Sequence, residues 1–316
     1  MPAQLDDLLG ELAAHASSPW AIDSRRGSAL ASILSDVALG KDVSPARLGG
    51  LVPKPTKEGR GGDPLIIPGA QGQGDTAVVR VHGIATFSID FQPFAYSSRA
   101  LRSTMTELAA DTRIRRIVMD FATPGGLVTG TPEAADAVFA ARKKKPVVAA
   151  IDPLAASAGY YLASQASDIA IMPSGEAGSI GVYVLHMDMS RAFDSAGITP
   201  TYLYAGERKV DGNPLEPLSD RARTTIQGDI DTIYADFVAA VARGRGVGVS
   251  AVRNGFGLGD SLLAREAVRS KLADRIATLE QVLGGSTPSD GLKRPSLAGR
   301  GKADHYRRRL AIERLR

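Results

Sequence analysis

A serine at the end of a buried apolar segment is the residue best placed to do chemistry. Residues 147–151 (Val-Val-Ala-Ala-Ile) are apolar without alternation, which predicts a strand buried on both faces of a parallel sheet. Asp152-Pro153 is predicted to end this strand, and a short helix is predicted from Ser157 to Ala163. A hydroxyl at such a junction lies near the free N–H groups and the positive dipole end of the helix. Ser157 is therefore a candidate nucleophile beside half of an oxyanion hole.

Ser157 also fits a second role, that of an ordinary helix N-cap, because serine is among the preferred residues there. For an isolated Ser-Ala-Gly sequence the cap is the more frequent role. The nucleophile elbow G-x-S-x-G is not matched, since the position two residues before the serine is Ala155. The choice between the two roles depends on the other motifs of the chain.

Three further glycine-containing segments accompany the serine. Pro124-Gly125-Gly126 follows a predicted strand, and its glycines allow a sharp turn that offers bare N–H groups to an oxyanion. Ser179, in Gly178-Ser-Ile-Gly181, could orient a neighbouring side chain or form a bulge. Lys209 lies in a turn-rich loop, residues 204–214, where a lone lysine is usually a solvated charge.

Composition excludes several classes of protein. The 316 residues can form one large α/β domain or two small ones. The absence of cysteine excludes disulfides, thiolate metal sites and a cysteine nucleophile. No apolar run approaches the roughly 18 residues that span a bilayer, and residues 1–13 lack a basic signal-peptide region. A net charge of +4 is too mild to indicate a nucleic-acid-binding protein.

Strands alternating with helices predict an α/β fold with a mainly parallel sheet. The predicted strands are residues 76–82, 114–121, 147–151, 168–172, 199–204 and 273–277. The predicted helices are residues 5–16, 24–39, 95–110, 131–142, 192–196, 219–242 and 261–270. The three lysines 143–145 are predicted to be a solvated helix end.

In this order, the motifs resemble the signal peptide peptidase A family of serine proteases. The motifs are Pro124-Gly-Gly126, Ser157-Ala-Gly-Tyr-Tyr161, Gly178-Ser-Ile-Gly181 and the loop that ends in Lys209-Val-Asp-Gly-Asn-Pro214. Within that family, the loop and its following helix most closely resemble the phage prohead (capsid maturation) proteases. The resemblance covers about residues 76–283.

The resemblance implies a Clp-protease/crotonase-like fold with flanking helices and a Ser–Lys dyad that needs no cofactor or metal ion. It assigns Ser157 as nucleophile, Lys209 as general base, Gly126 with Gly125 beside it and the N–H of Ala158 as oxyanion hole, and Ser179 as the residue that orients Lys209. The dyad is chemically coherent because the four histidines, His15, His82, His186 and His305, all lie outside the motifs. A lysine amine acts as a base near neutral pH when it is withdrawn from water.

Three domains are expected: a helical appendage with a linker (1–74), a Ser–Lys protease domain (75–283), and a disordered basic tail with a possible short helix (284–316). The expected partners are protein or peptide substrates, above all capsid and scaffold proteins, and further copies of the chain. These copies would form a ring in which Ser157 of one subunit meets Lys209 of the next. The tail either contacts scaffold or packaged nucleic acid or only solubilises the chain.

The expected location is the host cytoplasm or the prohead, because the N-terminal span of membrane-anchored signal peptide peptidases has no counterpart here. Three alternatives stay open. One is a cytosolic bacterial peptidase that clears peptides. Another is a crotonase-like acyl-CoA enzyme, which would not need Lys209. The last is an inactive assembly protein, disfavoured because both dyad positions are present.

Overall fold

Parallel strands form the centre of the structure, a computed structural model that describes residues 2–15, 18–38, 64–69 and 74–284, with positions 41, 43, 47, 50 and 51. The strands are β1 Trp20–Ile22, β2 Leu65–Ile67, β3 Asp75–Thr86, β4 Ala95–Ser97, β5 Ile114–Leu127, β6 Val147–Ala156, β7 Asp168–Ile171, β8 Glu176–Gly178, β9 Ser261–Leu263 and β10 Arg275–Ile276. The helices are α1 Pro2–Ala14, α2 Ser24–Ala38, α3 Ser98–Ala110, α4 Thr131–Ala141, α5 Ala158–Ala163, α6 Ser190–Ser195, α7 Asp220–Arg245, α8 Val249–Gly255, α9 Ala264–Arg269 and α10 Leu279–Leu283.

The main sheet has the strand order β10-β7-β6-β5-β3-β2. Five of these strands are parallel, and only β2, at the edge, pairs in the antiparallel direction. Alternate residues of β3 face opposite cores: Ala77, Val79 and Val81 face the larger one, whereas Val78 packs with Leu279 of α10. The predicted α/β fold, a mainly parallel sheet with flanking helices, is confirmed.

β5 and β6 continue beyond the main sheet. Phe121 pairs with Ile151, but the next residue of β5, Ala122, pairs with Leu154, so Asp152-Pro153 bulges out of β6. The prediction that Asp152-Pro153 ends the strand is therefore wrong. A bulge tolerates a residue that has no N–H to donate to the ladder, and the pairing resumes as far as Thr123.

Short strands extend this second part of the sheet. β4 pairs with the end of β3, β8 with the end of β6, and β9 runs antiparallel to β8. The sequence predicted a helix from residue 261, but residues 261–263 form β9 and the helix begins at Ala264. Residues 199–204, predicted as a strand, pair with no described strand and are exposed, so this prediction is wrong.

The predicted N-terminal helices form as α1 and α2, and a strand, β1, lies between them. Apolar side chains of both helices pack with Trp20 and Ile22 of β1 and with Ile84 and Leu127 of the sheet. This segment thus belongs to the same compact unit as the main sheet. The predicted linker contains the edge strand β2. Most of the rest of the linker, and the predicted tail after residue 284, lie outside the described residues.

No helix within the described ranges is both long and apolar enough to cross a membrane.

Lys145 has a structural role that the sequence did not indicate. Its ammonium donates to the carbonyl oxygens of Leu108 (2.7 Å), Asp111 (2.7 Å) and Ile114 (2.9 Å). These carbonyls lie from the last turn of α3 to the first residue of β5, so one cation ties the helix end to the sheet. The prediction of a solvated helix end is wrong for this lysine, whereas Lys143 and Lys144 are exposed.

We expect Lys145→Met to lower the free energy of unfolding by about 2–3 kcal/mol, because hydrogen bonds from a charged donor are lost and the carbonyls stay partly buried. Lys144→Met removes the same charge from an exposed neighbour and should change the stability by less than about 0.5 kcal/mol. Urea unfolding of both variants measures the difference. Equal stabilities of the two variants would show that the hydrogen bonds of Lys145 do not stabilise the fold.

Candidate active site

Ser157 lies at the junction of β6 and α5 in a strained backbone conformation. Its φ of 54° and ψ of −117° lie in a region that residues other than glycine rarely adopt, at a cost of order 1–3 kcal/mol. Backbone hydrogen bonds hold it on both sides. The N–H of Ser157 donates to Gly178 (2.8 Å), and the N–H of Tyr161 donates to the Ser157 carbonyl (2.8 Å).

The hydroxyl of Ser157 does not cap the helix. Although Ser157 stands at the N-cap position of α5, its side chain makes no capping hydrogen bond. Its Oγ instead donates to the carbonyl of Gly181 at 3.3 Å, and none of the residue is exposed to solvent. The structure therefore gives no support to the N-cap role as the reason for a serine at this position.

The two tyrosines of the Ser157 motif anchor α5. Tyr160 is fully buried and its hydroxyl donates to the carbonyl of Leu272 at 2.9 Å. The ring of Tyr161 stacks on that of Phe237 in α7, with centroids 4.6 Å apart. Burial raises the pKa of both phenols, that of Tyr161 to about 12, so both stay protonated. The pair fixes the helix that carries the first N–H groups beside Ser157.

The Pro-Gly-Gly turn lies against the start of α5. A Cβ added to Gly125, whose φ is 96°, would lie 3.0 Å from both the Ala156 carbonyl oxygen and the Ala158 nitrogen. A Cβ on Gly126 would lie 2.4 Å from the carbonyl oxygen of Ala85. No side chain fits at either position, which explains both glycines.

The amide groups of this turn have different roles. Gly125 donates its N–H to the hydroxyl of Thr123 (3.1 Å), and that hydroxyl donates to the carbonyl of Gly83 (2.6 Å). Gly125 therefore supplies space rather than a free donor. The other N–H groups of this region are that of Gly126, which lies opposite Ala21 of β1, and that of Ala158, which opens α5 and has no intrahelical partner.

The two remaining predicted residues, Ser179 and Lys209, lie in different surroundings. Ser179 follows β8, is nearly buried, and has a φ of 53°; because Ala156 pairs with Gly178, it lies close to Ser157. Lys209 lies in an exposed turn, where its N–H donates to Gly206 at 3.0 Å. Within the described chain no hydrogen bond joins Lys209 to Ser157 or Ser179.

The three described histidines are engaged elsewhere. His82 bonds Asp120 (3.0 Å), His186 bonds the carbonyl of Asn213 (3.0 Å), and His15 bonds Ser18 (3.3 Å). Among the residues that the structure describes, no cluster of histidine and acidic side chains is arranged to hold a metal ion.

β1 is a part of the site that sequence reasoning missed. It pairs antiparallel with Gly125–Leu127 of β5, and a bridge joins Trp20 to Tyr183 on its other side. The available signal was the short apolar run Trp-Ala-Ile between Pro19 and Asp23, which is typical of a short strand.

Comparison with known proteins shows which part of the chain is similar to a known peptidase family. Residues 140–287 match the model of peptidase family S49. This chain carries a peptidase family S49 domain. The matched range contains Ser157, Ser179 and Lys209, whereas Gly125 and Gly126 lie in the strand before it. The resemblance to signal peptide peptidase A proteases is thereby confirmed.

The S49 relatives include phage proteins and a bacterial protein. The capsid assembly protease C of Escherichia phage lambda is 34% identical over 186 residues, 57% of this chain and 42% of the relative. The head-tail preconnector protein GP5 of Enterobacteria phage P21 is 34% identical over 148 residues, 47% of this chain and 30% of the relative. A putative signal peptide peptidase SppA of Enterococcus faecium is 26% identical over 191 residues, 60% of this chain and 55% of the relative. The matched segment thus spans less than half of either phage relative.

The strained backbone of Ser157 predicts how glycine and alanine substitutions at this position change the stability of the fold. We expect Ser157→Gly to be about 1 kcal/mol more stable than Ser157→Ala, because glycine adopts positive φ without a steric cost. At Ser164, which has a helical φ of −61°, the order should reverse. Thermal unfolding of the four variants measures both differences. An alanine variant at position 157 that equals or exceeds the glycine variant would contradict the strained conformation.

Proposed function

We propose that this protein is a serine endopeptidase whose nucleophile is Ser157. The observation that carries the proposal is the strained, non-capping serine beside two main-chain N–H groups, those of Gly126 and Ala158. Attack of a serine on a peptide carbonyl creates a negatively charged oxygen, and pre-positioned N–H donors are the groups that stabilise it. The match to peptidase family S49 supports the same chemistry.

The general base is proposed to be Lys209 of a neighbouring subunit. The Ser157 hydroxyl donates to a backbone carbonyl and the described histidines bond other groups, so no base among the residues that the structure describes is hydrogen-bonded to Ser157. Lys209 is exposed in the single chain, whereas a lysine base must be withdrawn from water. A second subunit that covers the lysine meets both requirements.

Exposed apolar side chains near Lys209 support assembly. Leu203 is 96% exposed and Tyr204 is 56% exposed, and both lie in the segment 199–204 that pairs with no described strand. The apolar stripe of α7 also continues out of the core, where Ile226 and Ile230 are only half-buried. Large apolar side chains grouped at a surface indicate a protein interface. A second copy of this chain is the occupant that would bring Lys209 to another subunit's Ser157, in a closed ring.

The proposed substrates are capsid and scaffold proteins during head maturation of a phage or prophage, in the host cytoplasm or inside the prohead. The relatives named for phage head assembly support this choice. The similarity to a putative signal peptide peptidase favours a second candidate, a peptidase that clears peptides. Incubation with co-expressed capsid and scaffold proteins distinguishes the two, since only the first predicts discrete cleavage products.

We expect a fluorophosphonate to label the wild-type protein at Ser157, and we expect Ser157→Ala to lose both labelling and casein hydrolysis. Removal of a serine nucleophile costs on the order of 10⁴-fold or more in turnover. Ser195→Ala, on an exposed helix, is the matched control and should retain full activity. Activity of more than a few per cent in Ser157→Ala, with the fold intact, would disprove the assignment.

The shared site predicts that two inactive variants restore activity together. Ser157→Ala and Lys209→Ala, unfolded and refolded as a mixture, should regain partial activity, because some interfaces then contain both intact residues. The control replaces Lys209→Ala with the double variant Ser157→Ala/Lys209→Ala, so no subunit has a nucleophile and the mixture must stay inactive. If mixed oligomers form but remain inactive, the dyad lies within one chain.

A further inference from the structure

β1 is an extended segment of this chain that is held by main-chain hydrogen bonds on both of its edges, against the turn that contains Gly125 and Gly126. On one side its residues pair antiparallel with Gly125–Leu127, and the N–H of Asp23 donates to Pro124 at 2.8 Å. On the other side Trp20 and Tyr183 exchange two hydrogen bonds of 2.9 and 3.0 Å. An extended segment held by main-chain bonds on both edges is how proteins bind peptides by strand addition.

The register directs the carbonyl of Ala21 toward the proposed oxyanion donors. In an antiparallel ladder, hydrogen bonds join every second pair, and Asp23 is bonded in this way: its N–H donates to the carbonyl of Pro124, which as a proline has no N–H to donate in return. Ala21 with Gly126 is therefore the next, so the Gly126 N–H faces the Ala21 oxygen.

The same oxygen and the nitrogen of Ala158, the other proposed donor, both border Gly125. A Cβ added to Gly125 would lie 2.2 Å from the Ala21 oxygen and 3.0 Å from the Ala158 nitrogen. The carbonyl oxygen of Ala21 thus lies opposite the Gly126 N–H and on the same side of Gly125 as the nitrogen of Ala158, the residue that follows Ser157.

Both faces of β1 are fixed by packing. The methyl group of Ala21 is buried in the main core, and the residue is 2% exposed. The side chains on either side of it, Trp20 and Ile22, pack in the cluster formed by α1 and α2. The strand is therefore held with one particular peptide bond, Ala21–Ile22, at the site.

We propose that β1 is an internal substrate and that Ser157 cleaves the chain between Ala21 and Ile22. This inference rests on the proposed function, because it uses the same nucleophile and oxyanion donors. It goes further by assigning a self-processing site and a small residue on the acyl side of the cleaved bond. Until β1 leaves, no other peptide can form the same bonds to Gly126 and Tyr183.

The reaction is peptide hydrolysis. The Ser157 Oγ bonds to the Ala21 carbonyl carbon as its proton passes to the lysine base. The carbon–nitrogen bond to Ile22 breaks, and the nitrogen takes that proton and leaves as a new amino terminus. Water then hydrolyses the ester, which yields a carboxylate at Ala21 and restores the hydroxyl. Because Lys209 is not hydrogen-bonded to Ser157 within one chain, cleavage begins on assembly.

The test follows the full-length wild-type protein over time, at a concentration at which the oligomer forms, by intact mass and N-terminal sequencing. We expect the full-length mass to be replaced by a form that begins at Ile22, together with a fragment that ends at Ala21. Ser157→Ala should keep the full-length mass. Cleavage of Ser157→Ala at this bond would show that another protease acts there and would overturn the inference.

A pair of alanine variants tests the position of the bond. Ala21→Phe should block this cleavage, because the core around the Ala21 methyl group has no space for a ring. Ala14→Phe, on an exposed position of α1, should be cleaved like the wild type. Thermal unfolding checks that both variants fold. If Ala21→Phe does not fold, the comparison of the intact masses of the wild type and Ser157→Ala decides whether self-cleavage occurs.

Fluorophosphonate labelling separates this inference from the proposed function. A wild-type protein that labels at Ser157 and hydrolyses casein, yet keeps its full-length mass, would overturn self-cleavage and leave the peptidase assignment standing. A protein that neither labels nor cleaves would overturn both.

Discussion

The candidate site depends on the parallel pairing of β5 with β6 beyond the bulge at Asp152-Pro153. Without the resumed register, in which Thr123 pairs with Ala155, the Pro-Gly-Gly turn and Ser157 would leave the sheet at different points. Because the strands are parallel, both segments end at the same edge. β8 joins that edge by pairing with the end of β6, which brings the Gly178 carbonyl to the Ser157 N–H. One stretch of sheet therefore positions the turn, the serine and the second glycine-flanked serine.

The strain at Ser157 is sustained by its surroundings. Its backbone is bonded on both sides, and the helix that follows is anchored by the hydroxyl of Tyr160 and the stacked ring of Tyr161. Each contact is worth on the order of 1 kcal/mol, which together offset a strained residue. Lys209, in contrast, lies on an exposed loop. The proposed nucleophile and the proposed oxyanion donors are thus pre-positioned by one chain, whereas the proposed base requires assembly.

Local sequence signals were reliable where one segment's own pattern decides the structure. The apolar run 147–151 predicted a buried strand, and residues 131–142 were predicted to form a helix; both elements formed, as β6 and α4. Local signals were unreliable where the structure of a segment depends on the segment that packs or pairs beside it. Residues 199–204 have the composition of a strand but no partner edge, and Ser261–Leu263 became a strand because β8 offers one. The ammonium of Lys145, likewise, donates hydrogen bonds to three carbonyl oxygens that are distant from it in the sequence.

The sequence by itself determined the fold class and the resemblance to the family, and it supplied the proposed catalytic residues, because residue types and the order of motifs are local properties of the chain. Only the tertiary structure decided which groups meet. It showed that the Ser157 hydroxyl does not cap α5, that the Gly125 N–H is taken by Thr123, and that Lys209 is not bonded to the serine. It also placed β1 against Gly126. Strand pairing joins backbone groups of any sequence, so its partners follow from the packing of the whole domain and leave little trace in the residues themselves.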